Sequence, residues 1–513
     1  MLRRDEKPTA ARGRFQVLAI FSLLNLVNAF FWIAFAPINK LVSDYYATSA
    51  TWVNLLSAVF MLLYPPGAVL SSFLLYRWDL RVNMIAAGAM MSLGGWLRYV
   101  STFLVHTDTT LAFVCLAVGQ SLAGFAQPAL TNTPAKVAAE WFPNGERDMA
   151  TTLASVSNVV GQAAGQVVPA LVVACTTQAG GSCVHGTVSG IDLLMLIQAL
   201  ASSAVTLWAA VSLHAEPDEA PSESARQRRS TRSLLRESAS PASAGPLTNM
   251  REDVQKLLGN AEFVKLLLGF GVGIGFFNAV LTDLSQVIAP LYCHNGTSNC
   301  DDQANEDDAA LFGGIFVGAG LLSAAFLGVA MEYSQRYRLF LKGGITGAAI
   351  TVLLMLLSMR FQLGSVALAI SFGLMGASML PLLPITLQCA VECTYPTNEE
   401  SSAALLMLVG NVLGLGFTYA IAGLAALVPD THAIANDPGV LPVGWMSLSV
   451  VAFSMLTLYL FTGKYLRLQA DTAMGAHLIA EPHESQSHCD PSVNASSVRV
   501  ETSSTANSSD LTS

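Results

Sequence analysis

Asn25, Asn28 and Trp32 stand at i, i+3 and i+7 inside an otherwise apolar run, which places them on one helical face. Amides offer both donors and acceptors, and an indole ring offers a face that attracts cations and organic rings. Polar groups in hydrocarbon are costly unless they pair or face a wet cavity, so this face is a candidate binding wall. An interhelical hydrogen bond beside an interfacial Trp is the plainer alternative. Asn278, Thr282, Ser285 and Gln286 form a second polar strip. Asp283, about 140° around the helix from Asn278, is the acid that lies deepest in any apolar run. It could neutralise a cationic solute or carry a coupling proton, or it could sit hydrated near the outer end.

More amides punctuate other apolar runs: Gln120, Gln127 and Asn132, then Asn158, Gln162 and Gln166 at i, i+4 and i+8, then Gln388 and Asn411. Such groups suit a polar, uncharged or zwitterionic solute, and they serve equally to join helices. Arg98 has no acidic neighbour in sequence and fits a structural role. No GxxxxGK[ST] loop is present, so ATP hydrolysis is not expected to drive any process. No His or Cys spacing suggests a metal site, and neither cofactor nor enzymatic activity is expected.

The elements that must position these groups are apolar stretches of membrane-crossing length. They cover 15–38, 52–76, 82–105, 109–134, 149–174, 190–213, 262–291, 309–331, 340–359, 364–390, 400–428 and 442–462. A helix of about 20 residues spans the roughly 30 Å hydrocarbon core. The chain is 53% hydrophobic and only 12% charged, about half the charge of a soluble domain. An all-α membrane protein with 12 transmembrane helices is expected, and the even count puts both termini on one side.

Lys and Arg fix that side as cytosolic, since Arg3, Arg4, Arg77, Arg81, Arg147, Arg336, Arg338 and Lys342 all fall in loops of one set. Arg81, Glu140, Arg147 and Glu392 are expected to pair there as gate residues. The first span is too long for a signal-peptide core and is expected to be retained. Cys293 and Cys300 share an outer loop and are candidates for a disulfide, with free thiols the alternative; Cys175 and Cys183 lie near another. Asn295 begins a glycosylation sequon in the same loop as Cys293. The net charge of −9 resides mainly in loops and tails, and no nucleic-acid partner is implied.

A polar segment, 214–261, reads as a cytosolic linker between halves 15–213 and 262–462; residues 1–14 and 463–513 read as cytosolic termini, the latter disordered. The halves repeat. Pro143, Ala150, Leu153, Asn158 and Gly161 recur as Pro396, Ala403, Leu406, Asn411 and Gly414, each 253 residues later. Asn28-Ala29 likewise matches Asn278-Ala279. Two parallel six-helix repeats are the symmetry of the major facilitator fold. Gly161/Gly165, Gly271/Gly275 and Gly410/Gly414 have the spacing of close helix packing.

With these pieces the chain resembles the feline leukaemia virus subgroup C receptor-related (FLVCR) family of major facilitators. The resemblance rests on Ser22 to Phe30 with Trp32, Gly119-Gln120-Ser121-Leu122, Pro134-Ala135-Lys136, Trp141-Phe142-Pro143, and Ala390-Val391-Glu392-Cys393-Thr394-Tyr395-Pro396. Ala34-Phe35-Ala36-Pro37 looks closer to the less studied branches. The resemblance implies a secondary transporter of a small organic solute: a choline- or ethanolamine-like amine, a vitamin-like molecule or haem. It implies a site near the midplane formed by Trp32, Asn28, Asn25, Asn278 and Asn411, with Gln120 and Gln388 near by. In members resembling amine carriers a Trp of span one and a Tyr of span seven hold the ammonium. Here Trp32 keeps the first place and Asn278 takes the second, while Val159 and Asn411 stand where those members have Gln. Facilitated movement is favoured over ion coupling, in a monomer or a larger assembly. The plasma membrane is the default residence and an endolysosomal membrane the alternative. A non-transporting receptor on the same scaffold, or a channel, would be the rival functions.

Overall fold

Helix starts show why elements begin where they do. Asp79 accepts from the Val82 amide at 2.9 Å and opens α4 (Leu80–Leu104). Asp108 accepts from the amides of Thr110 and Leu111 and opens α5 (Thr109–Thr131). Asn260 does the same for Glu262 and Phe263 at the head of α10 (Ala261–Thr282). The structure, a computed structural model, describes residues 13–143, 146–177, 183–214, 216–217, 246–288, 302–334, 336–394, 397, 399–426 and 442–463.

The first half comprises α1 (Arg14–Ile33), the short α2 (Asn39–Tyr45), α3 (Ala50–Arg77), α4, α5, the short α6 (Pro134–Trp141), α7 (Arg147–Val172) and α8 (Ile191–Ser212). Between α7 and α8 lies a small antiparallel hairpin, β1 (Ala174–Thr177) and β2 (Cys183–Ser189). Its register sets Cys183 opposite Thr177 and Cys175 opposite Val188. The second half follows α9 (Pro246–Gly259). It comprises α10, α11 (Leu284–Ile288), α12 (Asp302–Ser334), α13 (Tyr337–Arg360), α14 (Ser365–Met379), α15 (Leu382–Thr394), α16 (Glu399–Ala426) and α17 (Pro442–Tyr459).

Among the described residues nine helical stretches are long and apolar enough to cross a membrane, one of them running through α14 and α15. The other three spans are α4, diluted by Asn83 and Arg98, α7, diluted by its amides, and the 18-residue α17. The chain is a multi-pass integral membrane protein.

Three elements differ from the sequence expectation. Span seven does not run unbroken to 291: α10 stops at Thr282, Asp283 turns, and α11 resumes. Span ten breaks at Leu380-Pro381, because Pro381 has no N–H to continue the ladder. Part of the expected linker is ordered as α9, whose Leu257 is buried and whose Asp253 accepts from the Ser401 hydroxyl at 2.8 Å. Cys293, Cys300 and Asn295 lie outside the described residues.

Close backbone packing holds each half. A Cβ on Gly161 of α7 would overlap the Leu26 carbonyl of α1, and one on Gly275 of α10 would stand 2.8 Å from the Gly410 carbonyl of α16. The pairs α1–α7 and α10–α16 occupy matching places in the repeat, and a Cβ on Gly414, the repeat partner of Gly161, would stand 3.2 Å from the Gly275 carbonyl. Arg98, 1% exposed, donates to Gln198 Oε1 at 2.6 Å and lies 4.4 Å over the Phe31 ring and 4.8 Å over Phe35. Its aromatic bed ties α4 and α8 to the end of α1 and gives it the structural role expected.

Candidate functional site

The end of the bundles where α1 begins is termed the near side, and the opposite end the far side. Hydrogen bonds cross between the two halves on the far side. Asn54 Nδ2 on α3 donates to Asp283 Oδ1 at 2.8 Å, and Asn39 in turn donates to Asn54. Gln166 Nε2 on α7 donates to the Leu281 carbonyl at 3.4 Å. Asp283 is fully buried within this seal.

Below this seal both halves line one cavity of about 120 Å³. From the first half come Trp32 of α1, Tyr64 of α3, Gln127 and Thr131 of α5, and Asn158, Val159 and Gln162 of α7. From the second come Phe270, Phe276, Phe277 and Asn278 of α10, Met379 of α14, Leu383 of α15, Asn411 of α16 and Ser454 of α17. Thr131 and Leu458 carry the lining to the last turns of α5 and α17, towards the near side. Among the described residues, none that lines the cavity bears a formal charge. Aromatic walls with scattered amides can stack on an organic group, hold a cation by ring faces and fix it by hydrogen bonds.

Of the residues that the resemblance places at one site, Trp32, Asn278 and Asn411 line the cavity. Asn28, Asn25, Gln120 and Gln388 do not line it. Asn28 Nδ2 is buried against the Ala123 carbonyl at 3.0 Å and Met91 Sδ at 3.3 Å, joining α1 to α5 and α4. Gln120 Nε2 donates to the Phe31 carbonyl at 3.0 Å. Asn25 Nδ2 donates to the Ala154 carbonyl at 2.9 Å, and Gln388 is half-buried on α15. The helical face of Asn25, Asn28 and Trp32 is real, yet only its far end reaches the cavity; the rest packs on α5 and α7.

Asp283 lies in the seal and not in the cavity wall. Of the expected gate residues, Arg81 donates to the Ala210 carbonyl at 3.3 Å, Glu392 is buried, and Glu140 is half-buried. Arg147 opens α7, and its side chain lies outside the described residues. Sequence reasoning passed over Tyr64, whose hydroxyl donates to Asn132 Oδ1 at 2.6 Å, and the Phe276-Phe277 pair.

Two six-helix halves around a shared central cavity, sealed at one end, define a secondary transporter of the major facilitator type. The chain belongs to the Major Facilitator Superfamily, whose family model matches residues 21–419. It is similar to Solute carrier family 49 member A3 of Xenopus tropicalis, 27% identical over 79% of this chain and 76% of that protein. It is also similar to Choline/ethanolamine transporter FLVCR1 of Mus terricolor, 29% identical over 79% of this chain and 69% of that one. These relatives bear out the resemblance to the FLVCR family. Among solved structures the fold matches a D-xylose-proton symporter, with TM-score 0.63 and 12% identity over 88% of this chain and 98% of that one.

Proposed function

We propose that the protein carries a compact amine alcohol, of the choline or ethanolamine kind, across its membrane by alternating access. The observation that supports this most is the uncharged, aromatic-walled cavity shared by Trp32, Phe276, Phe277, Asn278 and Asn411. A ring face attracts an ammonium without a buried counter-charge, and the amides serve a hydroxyl. A cavity of about 150 Å³ holds one benzene, so about 120 Å³ suits a small amine and not a tetrapyrrole. The names of the similar transporters agree with this size and chemistry.

With both termini cytosolic, the sealed side is the outer one and the structure represents an inward-facing state. Arg81, Glu140, Arg147 and Glu392 then form the inner gate, assembling when the bundles rock to face outward. Residence in the plasma membrane goes with an oxidising outer loop holding Cys293, Cys300 and glycosylated Asn295. Movement is facilitated: the described cavity wall holds no carboxylate, Lys, Arg or His to carry a proton with the solute, and Asp283 acts in the seal.

The test is uptake of labelled ethanolamine and choline by proteoliposomes of the purified full chain. Saturable uptake of at least one is expected. An imposed pH gradient of one unit is expected to change its rate by less than about twofold, because no described lining residue is a His that changes charge near neutral pH. Absence of saturable uptake for both refutes the substrate class. Strict dependence on the gradient refutes facilitated movement.

A further inference from the structure

Asn25 does not reach the cavity, yet it sits in a chain of amides that ends there. The Ala154 main-chain carbonyl can only accept, so the group of Asn25 bonded to it at 2.9 Å is Nδ2. Asn25 Oδ1 is thereby the acceptor for Asn158 Nδ2 at 3.0 Å. Asn158 Oδ1 in turn accepts from Gln162 Nε2 at 2.8 Å. Each amide can flip only if all do, and the carbonyl at the root forbids it. The free end of the relay is Gln162 Oε1, which is buried and has no donor among the described residues. Gln162 lines the cavity.

The other half arrives at the same polarity by a different route. Asn411 Nδ2 donates to the Met407 carbonyl of its own helix at 2.8 Å, which fixes the donor end of that amide and leaves Oδ1 as an acceptor beside one remaining Nδ2 hydrogen. The repeat-related positions Asn158 and Asn411 are thus both committed as to which end is donor and which acceptor. Beside these acceptors, Trp32 Nε1 is a buried donor with no acceptor among the described residues. A buried polar atom left without a partner is costly, and a solute that supplies the partner recovers that cost on binding.

We infer that the cavity is polarised to receive hydrogen bonds from its solute, a fixed carbonyl oxygen from each half, so that amine heads bearing N–H are carried in preference to fully methylated ones. Trp32 Nε1 takes the oxygen at the other end of the solute. Asn25 is a positioning residue that sets the direction of the Gln162 amide from outside the cavity. The inference rests on the amine-transport reading above and narrows it.

The experiment is competition in proteoliposomes of the full chain, using labelled ethanolamine and, separately, labelled choline. The competitors are ethanolamine, its N-methyl and N,N-dimethyl forms, and choline. All four heads are cationic at neutral pH, so attraction to ring faces alone does not rank them by N–H count. The half-inhibitory concentration is expected to rise at least about tenfold from ethanolamine to choline, with the largest step at the last methyl, which removes the last N–H. Gln162→Leu and Asn25→Leu are expected to shrink that ratio to within about threefold, whatever their absolute rates. Choline competing as well as ethanolamine in the wild type overturns the inference and leaves the transport reading standing. So does a wild-type ratio in both variants once thermal unfolding shows them folded. If neither variant folds, the wild-type series alone decides. No saturable uptake of either label removes the transport reading itself.

Discussion

Replacing Trp32 with Ala is expected to lower the proposed saturable amine uptake by about tenfold or more at solute concentrations below saturation. An indole face is worth ~2 kcal/mol to a desolvated cation, and each 1.4 kcal/mol is a factor of about ten. Trp32 is 3% exposed and its ring belongs to the wall shared by the two halves, so the loss falls on binding. Trp32→Phe retains a ring and loses the Nε1 donor, and its uptake lies between those of the wild type and Trp32→Ala. Initial-rate uptake with surface expression held equal checks both. Equal rates for wild type and Trp32→Ala would place the solute elsewhere, and binding of a partner without flux would favour the receptor reading.

A covalent link between Asn54 and Asp283 stops transport. Their side chains join α3 to the turn after α10 at 2.8 Å, across the seal between the halves. Alternating access by rocking of the two halves requires that contact to part when the cavity opens to the far side. In a background with the native cysteines replaced, Asn54→Cys/Asp283→Cys treated with a short thiol cross-linker is expected to lose more than about nine-tenths of its flux, restored by reductant. Each single-cysteine variant keeps its rate under the same treatment. Undiminished flux in the linked protein would mean that the solute does not pass through this seal.

Much of the fold was legible because hydrocarbon thickness imposes long apolar runs, and those runs survive in the sequence as twelve stretches. The breaks within spans seven and ten were less visible. Asp283 and Pro381 interrupt helices whose flanks stay apolar, so hydropathy alone runs across them. The periodic match of Asn158 to Asn411 pointed to matching helices, and both residues do line the cavity.

The site was legible in part. Trp32, Asn278 and Asn411 could be picked out as polar or aromatic interruptions facing a shared interior. Asn25, Asn28 and Gln120 give the same signal while tying α1 to its neighbours, because helical spacing fixes an angle and not the helix that faces it. Tyr64, Phe276 and Phe277 were hidden for the opposite reason: in an apolar span an aromatic wall residue looks like any other membrane residue. Gln162 was noted among the amides of span five, but the direction of its amide needed the whole relay from Ala154.

The most direct measurement of alternating access is counterflow. Proteoliposomes of the full chain are loaded with unlabelled ethanolamine, diluted, and offered a trace of labelled ethanolamine outside. A carrier with one cavity exposed to each side in turn accumulates label transiently above its external concentration, then releases it as the internal pool drains. Such an overshoot, abolished by linking Asn54→Cys to Asp283→Cys, is the predicted result. Monotonic equilibration with no overshoot, at a rate indifferent to internal solute, would contradict the account and describe a pore.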